Sequence, residues 1–523
     1  MRGSISSHIK QFVNLQPAYQ SYYNEKDYQN IEVQFGNPVK EGACGETVKW
    51  KLDEKGCLTI SGTGNMDNFS EFGDFSEGTA KAPWFAFADE ITSIELMDGI
   101  TSVGDYAFYK MSHAQTVTLP EGLTRIGESA FSGCESLTSL EWPRSVTTLA
   151  DSVLAYSGLT SFTVPKEVEF IDKYALAGCK ALTNITVEEG NPAYVSKDGV
   201  VFNKAENVLE IYPASGNRSG SYEVPKTVTE IAYAAFHSNT LASITMPDTV
   251  QEIGVEAFFQ SSELASVQIP SGVESIRDFT FYGSETLRKV RLPAGLASIG
   301  FAAFGRCSAL ESISIPGSVK EIGMYAFDYC DNLGTVTLQE GVSGIDYGAF
   351  LDAGIKTIYL PKSLESIGTI AFHSYTNGAK INEVHYAGTQ TDWEQVKVSS
   401  YNDLLLNAEE WKYESMPSST ELESEIITVK HGNIDNLKPG MTRQDFLDVV
   451  DNDPESIIIR DQAGNEVADG KPLGTGYTVQ VTEDGEPMQI IVYGDAKDFN
   501  FLTLYQVKIL RQMSYPIILQ EVN

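Results

Sequence analysis

The chain has 523 residues, with 37 Lys plus Arg against 71 Asp plus Glu, giving a formal net charge of −34. A surface this acidic repels nucleic-acid phosphates and anionic lipid, while 42% apolar and 11% aromatic content excludes a disordered chain. Six cysteines with no CxxC pair exclude a disulfide scaffold and a thiol–zinc site, and no apolar run approaches the roughly 18 residues of a membrane span.

Residues 1–40 open on Met1-Arg2-Gly3-Ser4 and lack the apolar stretch of an export signal. They read as a leader or vector-derived segment. Residues 41–90 carry short strand-like runs, among them Val48-Lys49-Trp50 and Cys57-Leu58-Thr59-Ile60. Cys44 and Cys57 flank these runs, either bonded across a hairpin or as two free thiols.

From about Ile91 to Tyr386 one pattern recurs: apolar-x-x-Ile-Gly-x-x-Ala-Phe-x-x-small-x-x-Leu-x-x-Ile-x-Ile-Pro. Its Phe column, Phe236, Phe258, Phe281, Phe304, Phe327, Phe350 and Phe372, advances by 22 or 23 residues. Pro225, Pro247, Pro270, Pro293 and Pro316 march with it, and Phe108, Phe131, Leu154 and Leu176 extend the column upstream. A fixed period of this length around a Leu-x-x-Ile-x-Ile core is the mark of a leucine-rich solenoid. In Leu264-Ala265-Ser266-Val267-Gln268-Ile269-Pro270 the apolar Val267 and Ile269 alternate with Gln268, as a strand requires. Proline ends the strand because it has no amide hydrogen to give. Ile-Gly then allows a turn into the Ala-Phe segment, read as one helical turn, and Phe enters the core. The expected fold is an α/β repeat: a leucine-rich repeat solenoid of about eleven 22–23-residue coils over residues 91–412, stabilised by neighbour stacking.

The coils resemble the BspA-like leucine-rich repeat family, most faithfully in Ile322-Gly323-Met324-Tyr325-Ala326-Phe327-Asp328-Tyr329-Cys330-Asp331-Asn332-Leu333. The resemblance implies that 41–90 is an N-terminal β cap and that Tyr386-Ala387-Gly388-Thr389-Gln390-Thr391-Asp392-Trp393 is a closing segment. It also implies a bacterial protein, secreted or on the cell surface, that adheres to host or bacterial surface proteins or glycans.

An insertion at 188–222 interrupts the Phe column between Leu176 and Phe236. Its Tyr194-Val195-Ser196 and Val200-Val201-Phe202 runs around Asp198-Gly199 read as a β-hairpin, expected to bulge from the solenoid wall. A polar linker follows at 413–425, then a small α+β module at 426–493 with a helical run from Thr442 to Val450. The tail, 494–523, resembles a degenerate, truncated dockerin. Beyond Asp495, its ligand places hold Lys497, Phe499 and Gln506 in place of carboxylates, so it reads as a packed helix from Leu502 to Met513.

No catalytic motif occurs, so no enzyme activity, cofactor or metal site is expected. His237 and His373 read as rim residues. Cys134, Cys179, Cys307 and Cys330 share a column filled elsewhere by Ser157, Asn239, Ser261, Ser284 and Ala353, as buried small residues. The outward strand column, Thr118, Glu141, Thr163, Thr186, Thr245, Gln268, Arg291, Ser314, Thr337 and Tyr359, is the candidate binding ladder, with Glu141, Gln268, Arg291 and Tyr359 its discriminating members. Its conservative reading is that Thr and Ser suit an exposed strand. The leading expectation is a non-catalytic extracellular binding protein. The alternative is an assembly component attached to an extracellular scaffold through the C-terminal module.

Overall fold

A computed structural model describes residues 40–71, 81–215, 220–375 and 379–415, together with short strand segments between 428 and 510. The first 39 residues, the linker beyond Ser415 and the expected helix Thr442–Val450 lie outside the described residues.

The chain is a solenoid of about 14 turns, more than the eleven expected, because the capping segments coil in register with the repeat. Glu41–Ala43, Val48–Leu52 and Cys57–Gly62 form an antiparallel meander. Its last strand then pairs in parallel with Ser93–Leu96, and Ser93–Leu96 with Thr116–Thr118. Trp84 covers the end of the core, stacking on Phe108 at 5.6 Å while its Nε1 donates to the Ala107 carbonyl at 2.9 Å. That seals the raw end a solenoid would otherwise expose.

Each regular coil contributes to three inter-coil ladders. One is the expected parallel strand, such as Ser312–Ile315 against Thr335–Leu338 and Thr335–Leu338 against Thr357–Leu360. A second is the short Ile-centred strand, with Ile322 opposite Ile345 and Ile345 opposite Ile367. The third replaces the expected helical turn. Two residues per coil, at the second place before and after Phe, take positive φ, as in Tyr325 (56°) and Tyr329 (52°). This alternation aims every second amide along the solenoid axis. Tyr325, Phe327 and Tyr329 N–H donate to the carbonyls of Tyr347, Ala349 and Leu351 at 3.1, 2.7 and 2.8 Å. A helix would have turned those donors back into their own coil. We call this third segment the arc. Gly323 has an ordinary φ, and its lack of a side chain serves close approach: a Cβ there would lie 2.5 Å from the Ile299 carbonyl oxygen.

Inside, the rings from Phe236 to Phe372 form a continuous stack with centroids 5.0–5.3 Å apart and planes within 12°. The cysteine column does more than save space. Cys307 and Cys330 Sγ each donate to the Phe carbonyl of the preceding coil at 3.2 Å, and Ser284 Oγ makes the same bond at 2.9 Å. The Phe258, Phe281 and Phe304 carbonyls also accept from the N–H three residues on in their own coils at 3.3, 3.1 and 3.2 Å, so the column side chain supplies a second, inter-coil bond. All six cysteines are free, Cys44 and Cys57 included.

The insertion does not bulge outward. Tyr194–Lys197 and Val200–Asn203 pair around Asp198 and Gly199, whose φ of 50° and 83° are those of a type I′ turn. Val208–Ile211 then adds a third strand, antiparallel to Val200–Asn203 and parallel to Glu230–Ile231. Apolar residues pull this sheet into the wall. Val201 and Tyr194 join the N-terminal core, whereas Val200, Phe202 and Leu209 join the C-terminal one, so the inserted sheet is the seam between them.

At the far end Glu410–Tyr413 pairs in parallel with Glu383–Tyr386. Asn402, 1% exposed, closes the arc: its Oδ1 accepts from Phe372 N–H at 2.8 Å, where another coil would have offered a carbonyl. Further on, Ile457–Arg460, Tyr477–Val481, Met488–Val492 and Val507–Leu510 form an antiparallel meander. Val507–Leu510 is therefore a strand within the stretch expected to be helical. Its Val-Lys-Ile alternation suits a ladder partner.

Candidate functional site

The strand face carries the candidate ladder in two stretches. In the N-terminal stretch Thr59 stands opposite Glu95 and Glu95 opposite Thr118, and further along Thr163 stands opposite Thr186. Glu141 is exposed, but the segment from Leu137 to Trp142 forms no strand, so it stands outside the ladder's hydrogen bonding. The inserted sheet separates Thr186 from the next member.

The C-terminal stretch is longer. Glu223 lies opposite Thr245, and Gln268 opposite Arg291, in one four-stranded sheet. A five-stranded sheet packed against it continues through Ser314, Thr337, Tyr359, His385 and Lys412 in one register. Thr245 and Gln268 are exposed, whereas Arg291, Ser314, Thr337 and Tyr359 are half-buried. A parallel row, Ser312, Thr335, Thr357, Glu383 and Glu410, flanks the second sheet two residues away. The middle of the face is thus rich in hydroxyls and its end is charged.

That end is the most organised part of the face. The Tyr359 and His385 rings lie 4.4 Å apart. His385 Nε2 contacts Glu383 Oε2 at 2.9 Å and its Nδ1 contacts Ser415 Oγ at 2.8 Å. Lys412 Nζ pairs with Glu383 Oε2 at 3.1 Å. Hydrogen bonds from His385 and then Lys412 hold the Glu383 carboxyl below its usual range, and the bond to Glu383 raises Lys412. Sequence reasoning stopped at Tyr359 and missed Glu223, His385 and Lys412. The alternation in Glu383-Val384-His385-Tyr386 was a usable signal for one of them.

Elsewhere the chemistry is quiet. Burial pushes the Cys134 thiol up to about 12 and raises Cys307 and Cys330, which opposes thiolate formation. Among the described residues no group of three His, Cys, Asp or Glu side chains gathers as a metal site, and no helix is long and apolar enough to cross a membrane. His373 is half-buried, but His237 is not a rim residue: it is 5% exposed, because Phe259 stacks on one side of it and the Tyr156 and Tyr174 rings stand edge-on against it.

Parallel strands, a stacked Phe column and a hydrogen-bonded arc define a leucine-rich repeat solenoid. The model of the BspA type leucine rich repeat region matches residues 81–197, 216–271 and 253–379 in six copies. With more than half of its length matched, the chain belongs to that family. Solved structures similar to it include a leucine-rich repeat protein from Eubacterium ventriosum, 24% identical over 64% of this chain and 95% of that one, TM-score 0.47. Others are the pneumococcal vaccine antigen PcpA (18% identity, 72% and 98% coverage, TM-score 0.42) and a leucine rich cell surface protein from Faecalibacterium prausnitzii (20% identity, 68% and 98% coverage, TM-score 0.38). No curated protein matches the chain.

Proposed function

We propose that this protein is a non-catalytic binding protein of the bacterial surface or its surroundings, which holds an extended macromolecule, protein or glycan, on its strand face. The observation that carries this reading is the unbroken register from Ser314 to Lys412, with Tyr359 and His385 in ring contact at its centre. A rigid row of regularly spaced side chains lets weak contacts add along a ligand without ordering cost on the protein side. Tyr and Arg in such a row are the residue types that most often dominate binding energy. Membership of the BspA-type family favours adhesion to host matrix proteins, host cells or other bacteria.

Binding to arrays of matrix proteins and glycans tests the reading, with wild type compared against Arg291→Ala and Tyr359→Ala. A specific ligand whose affinity falls about tenfold or more, about 1.4 kcal/mol, in either variant supports it. Ligands that bind all three proteins equally count against it. For the scaffold-attachment alternative no comparable feature occurs among the described residues, where the tail contributes a strand to a sheet at Val507–Leu510.

A further inference from the structure

The inserted sheet leaves a gap in the arc wall. Leu209 pairs with Ile231, and Tyr212 stacks on Phe236 with centroids 4.9 Å apart, so both ends of the inserted coil are in register with the next one. Between them, however, Glu210 and Ile211 do the work of four residues, Ala232 to Ala235. The inserted coil cuts the corner, and side chains from either side meet across the space. The Tyr174 and Tyr233 hydroxyls are hydrogen-bonded there, with their rings 5.1 Å apart.

Beside this bridge lies a cavity of about 430 Å³, within the size range of small-ligand pockets. Six rings line it, Tyr156, Tyr174, His237, Phe259, Phe279 and Tyr282, together with Glu256 and Ser152. His237, Phe259 and Tyr282 each follow their Phe by one place and stack at 5.0 and 5.4 Å. The coils before the insertion carry Ala155 and Ala177 at that place, so the stack ends at His237. Tyr156 and Tyr174 close that end, edge-on to His237 at 6.1 and 5.9 Å. Phe279 stands edge-on to Tyr282 at 5.6 Å. Gly178, at φ 68°, makes the room, since a Cβ there would lie 2.4 Å from the Tyr156 ring.

The chemistry of the lining selects a ligand class. Much of its hydrogen-bonding capacity is used internally: Ser152 Oγ donates to Asp151 at 2.8 Å, His237 Nδ1 contacts Ser238 Oγ at 3.0 Å, and Tyr233 donates to Glu256 Oε1 at 3.3 Å. A sugar, which needs many such partners, is poorly served. Burial lowers His237 to about 4, leaving it neutral near pH 7, so Glu256 is the charged group of the lining. Rings of the same wall already attract cations. Lys173 Nζ lies 5.0 Å from the Tyr233 centroid, and the Arg306 guanidinium lies 6.0 and 5.2 Å from those of Tyr282 and Tyr329.

We propose that this cavity is an aromatic cage for an alkylated ammonium group, with Tyr156, Tyr174, His237 and Tyr282 supplying the ring surface and Glu256 the counter-charge. Such a cation needs π faces and a carboxylate but no hydrogen bonds. The cage lies on the arc wall, not on the strand face, and so can fill independently of a ligand bound there.

Calorimetric titration of the full chain tests this with three presentations of the group: choline, a trimethyl-lysine peptide and phosphatidylcholine vesicles. The neutral isostere 3,3-dimethylbutan-1-ol is the control. Expected is saturable binding of at least one presentation, with choline or the peptide binding at least about tenfold better than the isostere and a loss of similar size in Glu256→Gln and Tyr156→Ala. Both variants should fold, since the first is isosteric and Tyr156 is 47% exposed, and circular dichroism with urea midpoints checks that they do. Saturation by none of the presentations, equal affinity for the isostere, or a folded Glu256→Gln variant that binds like wild type would overturn the proposal. Preference for the peptide over free choline and vesicles would name a protein source, and preference for vesicles a lipid one.

Discussion

Gln260 is exposed and holds a φ of 51° two places after Phe258. A side chain in that region costs about 1–2 kcal/mol, which the arc hydrogen bond from its N–H to the Tyr282 carbonyl at 2.8 Å helps offset. Gln260→Gly should therefore stabilise the protein by about 1 kcal/mol, and Gln260→Val should destabilise it by at least as much; urea midpoints measure both. Equal stability of the three would mean that the left-handed position carries no strain. This conformation was hidden in the sequence because its occupants, such as Lys110, Gln260, Arg306 and Tyr329, are not the glycine or asparagine that normally announce it. His237 was misplaced for a different reason: the Tyr156 and Tyr174 rings that cover it come from coils on the other side of the insertion. Its folded pKa is depressed by burial from 6.5 to about 4, so the unfolded chain takes up a proton that the folded one refuses. Its contribution to stability is thus intact above about pH 6.5 and falls by up to about 3 kcal/mol as the pH drops to 4. Glu210, raised by burial and by Glu230 to about 7, and Asp328, raised by burial to about 6, act in the opposite sense. The clean comparison is His237→Phe with wild type at pH 7 and 4.5. Relative to wild type the variant should gain stability at the lower pH, and a constant difference would contradict the assignment.

The Phe stack was legible because a bulky ring must recur at the same place in every coil, and its 22–23-residue spacing survives wherever the coil is regular. Phe304 touches rings on both sides, 5.2 Å from each. Phe304→Ala should cost about 3–5 kcal/mol. The small-residue column was only half legible: its size was evident, but its donor role depends on the arc geometry, which brings the Phe carbonyl of the preceding coil within reach. Cys330→Ser should consequently be close to neutral, as Ser284 already shows that a hydroxyl fills the place, whereas Cys330→Ala should cost about 0.5–1.5 kcal/mol through the lost inter-coil bond, the Phe304 carbonyl keeping its bond from Cys307 N–H. Guanidinium titrations of the pair settle which. If Ala and Ser behave alike, the bond from this column is not stabilising. The hairpin in the insertion was readable from Asp198-Gly199, but its third strand was not, since Val208–Ile211 is specified by partners on both sides of the seam.

Across the whole molecule, the seam joins two cores that a continuous repeat would have merged. Phe202, 2% exposed, anchors the inserted sheet to the C-terminal core, while its neighbour Val201 anchors it to the N-terminal one. In a one-dimensional stack stability is a sum of coil and interface terms, so Phe202→Ala should split or broaden the urea transition. A single sharp transition of unchanged slope would show that coupling across the seam does not depend on this ring. The alternation through His385 was a usable signal, but the ladder's last member, Lys412, was unreadable because the repeat motif fades there while the coiling continues, and the cage was unreadable because it arises from residues missing in one coil. The charge of −34 now has a setting, the exterior of a solenoid whose strand face ends in an ordered Glu383–His385–Lys412 group. The direct test of that face is quantitative binding of wild type, Arg291→Ala and Tyr359→Ala to the ligand that emerges from the matrix-protein and glycan arrays. A loss of about tenfold or more in at least one folded variant is the predicted result, and undiminished binding by both would contradict the strand face as the recognition surface.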